Sequence, residues 1–365
     1  MRALWELLAC PACGGGLGDG WTCVACGGAY RADGPVPDLR LEADARTEAV
    51  RAFYEVAPFP GYPPNDSLAW LRARAERSDF ARQLDQAIPG DARIVEVGCG
   101  TGQMSLYLAR ADRLVIGADL TRASLALAAE AAGRFGVERA LFVETDLRRP
   151  GLQPGAFDVV YCSGVLHHTP DPRASFRSLA RLARPGGIIV LGLYNAVARL
   201  PLRLRRGIAR LTGNRWIPWD PVLRERTGEP ARREAWLRDQ YRHPEEHRHT
   251  HGEVLRWFAE NEVDYLRAYP STVLGDEGED LFAPADDQWP LEAWLAQLSW
   301  MATLGREGGL FVMIGRRRLA GGEAPKVQAA STSSRPVSAG IKASSAAACL
   351  ATSPGSSGWA AAPAR

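Results

Sequence analysis

Apolar residues in this chain gather into short dense runs, each broken off by a polar residue. Ile94, Val95 and Val97 form one, and LVIGAD (114–119), ALFVETD (140–146), FDVVYCSGVLHHTPD (157–171) and ARPGGIIVLGLYN (183–195) follow. Near-continuous aliphatic runs mark strands buried on both faces, and helix-length segments separate them. This βαβ rhythm predicts an α/β domain built on a doubly wound, mostly parallel sheet. Ligands in such sheets bind outside the carboxyl ends of the strands. Glu96, Asp119, Asp146 and Ser163 are therefore expected to converge on one crevice.

Between the first strand and the next helix stands VEVGCGTGQ at 95–103. Gly98, Gly100 and Gly102 there let backbone approach a ligand closely. The dinucleotide fingerprint is G-x-G-x-x-G, but position 103 here is Gln103. Asp119, 21 residues past Gly98, is where an acidic side chain accepts hydrogen bonds from both hydroxyls of a ribose. Alone, the glycine turn also suits structural punctuation or a nucleotide-binding oxidoreductase; the ordered strands after it lift it above those readings.

Together these strings resemble class I S-adenosylmethionine-dependent methyltransferases (methyltransferase type 11/12-like), from about Ala52 to Arg318. The resemblance implies a seven-stranded Rossmann-like sheet, S-adenosyl-L-methionine as cofactor, and methyl transfer. It implies further that Glu96 with Gly98, Gly100 and Gly102 holds the methionine part, that Asp119 binds ribose, and that Asp146 with Leu147 faces the adenine amino group. Gln103, Leu120 and Ser163 are counted with this cofactor site. The strings FYEVAPFPGY (53–62), DQYRHPEEHRHT (239–250) and EGGLFVMIGRR (307–317) resemble a bacterial subfamily without indicating its substrate. Such a resemblance supplies the donor, not the acceptor.

A second motif stands at the start of the chain, CPACG at 10–14 and CVACG at 23–27. Two C-x-x-C pairs make a tetrahedral thiolate site for structural zinc, so Cys10, Cys13, Cys23 and Cys26 are the expected ligands of a ribbon spanning 1–42. Disulfides and a lipidation signal are the competing readings; nothing points to export, and Glu6 interrupts the apolar segment. The ribbon resembles small zinc domains ahead of some methyltransferases, rRNA guanine methyltransferases among them, where the module helps hold substrate. It serves either that purpose or a structural cap. So small a module depends on its metal, and losing one thiolate is expected to unfold it while the core still binds donor.

Residues 43–92 read as a helical arm whose Tyr54, Phe59 and Tyr62, held by proline-rich turns, either form a lid or pack on the sheet. The core spans 93–318, with an insertion at about 196–250. Arg199, Arg203, Arg205, Arg206 and Arg210 in that insertion suggest a solvated helix face, with RNA or phosphate contact as the alternative. In HPEEHRHTH (243–251) the spacings favour substrate contact or structure over a metal, and Thr250 with Glu253 forms a helix capping box. Residues 319–365, rich in Ala, Ser, Gly and Pro, read as a disordered tail.

Composition narrows the partners. A net charge of +2 gives no bulk drive toward nucleic acid or anionic membrane, and no apolar run is long enough to span a bilayer. A cytoplasmic enzyme acting on a small or medium-sized acceptor is the favoured reading. An rRNA or tRNA methyltransferase, and a non-catalytic S-adenosylmethionine-binding interaction protein, are the alternatives; oligomeric state is not readable. A hydroxyl, amide-like nitrogen or acidic carbon acceptor needs a base. His168 or His167 is the nearest candidate, with Tyr194 and Asn195 placed to orient the acceptor.

Overall fold

In the computed structural model the described residues are 2–319 apart from 32–33, 214–216, 218–219, 226–229, 242, 244, 274–279, 286–288 and 305–307. Residues 320–365, nearly all of the segment read as a disordered tail, lie outside the described residues. Among those described, one sheet forms from β1 (Arg93–Val97), β2 (Leu114–Asp119), β3 (Ala140–Glu144), β4 (Phe157–Ser163), β5 (Ala183–Tyr194), β6 (Val263–Tyr269) and β7 (Leu310–Arg317). Its order is β3-β2-β1-β4-β5-β7-β6. Every pairing is parallel except those of β7, which runs antiparallel to β5 and β6. The order reverses between β1 and β4, so a crevice opens at their carboxyl ends.

The first short helix, α1 (Arg2–Trp5), precedes the cysteine knuckles. The arm holds α2 (Ala45–Glu55), α3 (Leu68–Ala75) and α4 (Asp79–Ala87). Each starts where the sequence offers an N-cap: Asp44, Ser67 and Ser78 accept from the backbone N–H of Thr47, Trp70 and Ala81. Between strands run α5 (Gln103–Leu108), α6 (Arg122–Phe135) and α7 (Pro172–Ala180). The insertion folds into α8 (Leu200–Leu211), α9 (Pro221–Glu225) and α10 (Pro230–Tyr241). Then come α11 (His251–Glu260), capped by the Thr250 hydroxyl, and α12 (Pro290–Ser299).

The cysteine-bearing segment is joined to the sheet. Leu4, Leu7, Leu8 and Leu39 share one buried core with Val143, Leu147 and Leu152. Backbone at 37–39 also pairs with the outer edge of β3: the Glu144 N–H donates to the Pro37 carbonyl at 2.9 Å, and the Leu39 N–H to the Glu144 carbonyl at 2.8 Å. An exposed strand edge is thereby covered. No helix among the described residues is long and apolar enough to cross a membrane.

Candidate functional site

A cavity of about 610 Å³ opens at the carboxyl ends of β1, β2, β4 and β5. Glu96, Asp119, Asp146 and Ser163 all line it, as do Gly98, Gly100, Gln103, Leu120 and Leu147. Gly98 has φ +75°, and a Cβ there would collide with Val165, so the turn at this point admits only glycine. Gly102 is not in the wall. At φ +77° it starts α5, and a Cβ would stand 2.6 Å from Phe142, so its service is close packing of helix on sheet.

Four groups set the polarity of this half of the cavity. Glu96 is buried and accepts from the Ser105 hydroxyl; burial, its largest influence, pushes its carboxyl up to about 8. Asp119 clamps two turns, accepting from the Gly100 N–H and the Thr121 N–H, each at 2.8 Å, while burial raises its pKa. Each of its oxygens retains a second acceptor lone pair. Asp146 accepts from Arg148, whose Nη2 lies 2.8 Å away, and Arg148 also reaches Asp44 at the start of the arm. Ser163 Oγ is buried and has no hydrogen-bond partner. A Cβ on the neighbouring Gly192 would overlap that hydroxyl, so the pair leaves Ser163 room and nothing else. An orphaned hydroxyl in the wall, three carboxylates and a glycine turn fit a polar ligand carrying amino and hydroxyl groups.

The other half is aromatic. Tyr54, Phe59, His168, Tyr194 and, from α10, Trp236 line it together with Arg238 and Gln240. The His168 Nδ1 lies 2.8 Å from the Glu245 carbonyl oxygen. A carbonyl only accepts, so Nδ1 carries the hydrogen and Nε2 is the basic nitrogen. The His243 ring lies 3.7 Å from that of His168, tilted by 30°. Tyr194 is held between the Arg199 guanidinium, 3.6 Å from its ring centre, and the His167 ring at 3.7 Å, and its hydroxyl accepts from Gln240 at 2.8 Å.

Several sequence-based expectations are corrected here. His167 is fully buried, absent from the cavity wall and held neutral by burial, so it is a packing ring rather than a base. Asn195 is also fully buried; its amide donates to Gln297 and accepts from the Val197 and Ala198 N–H groups, which makes it the anchor of the turn leading into α8 instead of an acceptor contact. Tyr62 is outside the cavity wall, donating to the Thr101 carbonyl at 2.7 Å and packing on Phe135. Arg199, read as part of a solvated face, is 1% exposed and pairs with Glu246 at 2.9 Å, as does Arg206 at 2.7 Å. Trp236, Arg238 and Gln240 were not singled out from sequence. Their only signal is that Arg238 and Gln240 stand in or beside the string starting at Asp239.

In the N-terminal segment the sulfurs of Cys10, Cys13, Cys23 and Cys26 all lie within 4.8 Å of one another. Cys10 and Cys26 are 3.7 Å apart, Cys13 and Cys23 3.5 Å. Sulfurs about 3.8 Å apart are what a tetrahedral ion with metal–sulfur bonds of about 2.3 Å requires. The Gly15 and Ala25 N–H groups each donate to a cysteine sulfur at 3.4 Å, which favours thiolates. Among the described residues all cysteines are free, and this is the only grouping of three or more such side chains with metal-ligand geometry.

The topology and the crevice define a doubly wound fold of the Rossmann-like methyltransferase kind. Residues 95–191 match the family described as Methyltransferase domain. The chain is 31% identical over 255 residues to an uncharacterized protein of Synechococcus sp., covering 61% of this chain and 60% of that one. It is 37% identical over 102 residues to the ubiquinone biosynthesis O-methyltransferase of Sodalis glossinidius, covering 28% of this chain and 41% of that one. It thus spans less than two thirds of the length of these relatives. Among solved structures it is similar to the magnesium protoporphyrin IX methyltransferase of Synechocystis PCC 6803 with bound SAH, at 16% identity and TM-score 0.44, covering 74% of this chain and 99% of that one.

Proposed function

We propose that the protein transfers the methyl group of S-adenosylmethionine to a hydroxyl of a small or medium-sized, largely apolar acceptor, with His168 as the base. The observation that carries this reading is the two-sided cavity: carboxylates and a glycine turn on one side, aromatic rings around a histidine of defined tautomer on the other. The similarity to an O-methyltransferase of ubiquinone biosynthesis supports a hydroxyl acceptor.

When bound, S-adenosylmethionine supplies a methyl group on a positively charged sulfur, already activated toward nucleophiles. Glu96 and the glycine turn would hold its methionine part, Asp119 and Leu120 its ribose, Asp146 and Leu147 its adenine, with Gln103 and Ser163 completing the wall. Tyr54, Phe59 and Trp236 exclude water from the reacting centre. Tyr194, fixed by Gln240, orients the acceptor. His168 Nε2 takes the hydroxyl proton while Nδ1 stays on the Glu245 carbonyl, which stabilises the imidazolium that results. Much of the acceleration comes from in-line positioning.

In the same reading residues 1–42 form a zinc ribbon held by Cys10, Cys13, Cys23 and Cys26, 43–92 an arm over the cavity, and 93–318 the catalytic core. The test supplies donor with a labelled methyl group to extracts divided into RNA, protein and small-metabolite fractions. Label is expected in the metabolite fraction, with affinity for donor and its demethylated product lowered by Asp119→Ala by about 2 kcal/mol, the cost of leaving ligand hydroxyls unpaired. Label in RNA that ribonuclease removes would install the ribbon as an RNA clamp. Tight donor binding with no label in any fraction would favour a non-catalytic binding protein.

A further inference from the structure

Glu144, the last residue of β3, is a fully buried carboxylate two positions before Asp146. One guanidinium bonds it and a second stands beside it as an ion-pair partner: Arg122 Nη1 donates to one oxygen at 2.9 Å, while Arg40 Nε lies 3.0 Å from the other, which accepts no hydrogen bond. Arg40 is itself held by Asp38 through Nε and Nη2, both at 3.0 Å. The backbone of 37–39 brackets the same residue through the paired bonds at the β3 edge. Thr145 is caught in turn, its hydroxyl accepting from the Gly151 N–H at 2.8 Å and facing the Leu39 carbonyl at 3.5 Å. The Gly151 carbonyl accepts from the N–H of Ala9, the residue before Cys10, at 3.1 Å.

Thr145, Asp146 and Leu147 all line the cavity. The cysteine knuckles, the β3 edge and this wall therefore belong to one hydrogen-bonded frame. Without Arg40 a single guanidinium, Arg122, is left to face two carboxylates, Asp38 and Glu144, and a buried carboxylate in that excess of like charge does not keep its place. Displacement of Glu144 moves the wall two residues on.

We propose that Arg40 is a positioning residue for donor binding: acting through Glu144, and backed by the metal-held knuckles, it sets the wall at 145–147, so donor affinity depends on the ribbon. This rests on the donor and zinc readings above. It reverses the expectation that the ribbon unfolds while the core binds donor unchanged. Nothing in it requires the ribbon to touch either substrate.

The test measures binding of S-adenosylhomocysteine and of adenosine to the full chain by calorimetry, zinc-loaded and after chelation, for wild type and Arg40→Ala. Chelation and Arg40→Ala are each expected to weaken S-adenosylhomocysteine about tenfold, a typical coupling between linked sites, and together by little more than either alone. The loss should appear in full with adenosine, which places it on the nucleoside side, and amide exchange at 143–148 should quicken in both. Arg40→Lys, which keeps the charge, should recover part of the affinity. Unchanged affinity in zinc-loaded Arg40→Ala overturns the proposal even if the chelated chain fails to fold. Zinc-loaded wild type that binds no S-adenosylhomocysteine overturns the donor reading, and wild type purified without metal overturns the zinc reading; either removes the ground of the proposal.

Discussion

At the scale of single residues the polar half of the cavity is governed by two carboxylates with different duties. Asp119 spends one lone pair of each oxygen on the Gly100 and Thr121 N–H groups, so it builds the turn as well as lining the cavity. Glu96 is pushed up to about 8 by burial, above its ordinary 4.5. In the ligand-free chain a carboxyl raised in this way contributes stability that is complete below the ordinary value and lost as pH rises through the folded one. On the proposed placement, a donor amino group held beside Glu96 would pull the proton off. Donor binding at about pH 7 should therefore release close to one proton, fading by about pH 9, where the carboxyl is already ionised. Calorimetry in buffers of different ionisation enthalpy reads this number, and Glu96→Gln should abolish it. Asp119 was legible from its spacing to the glycines, whereas its bond from the Gly100 N–H was not, because only folding brings that turn to it.

At the scale of elements the sequence marked β1 to β5 through their apolar runs, and Asp44, Ser67, Ser78 and Thr250 begin helices where their side chains satisfy the first N–H groups. What periodicity did not reveal is that α10 closes the cavity. Arg238 crosses to the arm, donating to the Phe53 carbonyl at 2.5 Å with its guanidinium 4.8 Å from the Phe53 ring. Arm and insertion thus meet over the aromatic half, with Arg46 and Glu245 paired at 2.8 Å nearby. Arg238→Ala should raise the acceptor KM about tenfold, the loss of one charge-assisted bond, and leave donor affinity nearly unchanged. Steady-state kinetics beside donor calorimetry decides it. Equal losses in both would place Arg238 in the donor half instead.

At the scale of the whole molecule, the leucines of the cysteine-bearing segment are buried in the same core as the sheet. Zinc-loaded protein should accordingly contain one ion per chain and unfold in a single calorimetric transition, with no separate early melting of 1–42, since elements sharing a core melt together. Metal analysis and scanning calorimetry check both points, and two resolved transitions would show an independent ribbon. Local pattern by itself determined the α/β class, the strand runs, the glycine turn and the cysteine spacing, because each depends on neighbours within a few residues. Tertiary structure alone decided that His168 faces the cavity while His167 is buried against Tyr194, that Asn195 is buried on Gln297, that Arg199 lies against an aromatic ring, and that 37–39 join β3. Those outcomes turn on which buried polar group finds which partner far along the chain, and no periodicity in sequence records that pairing.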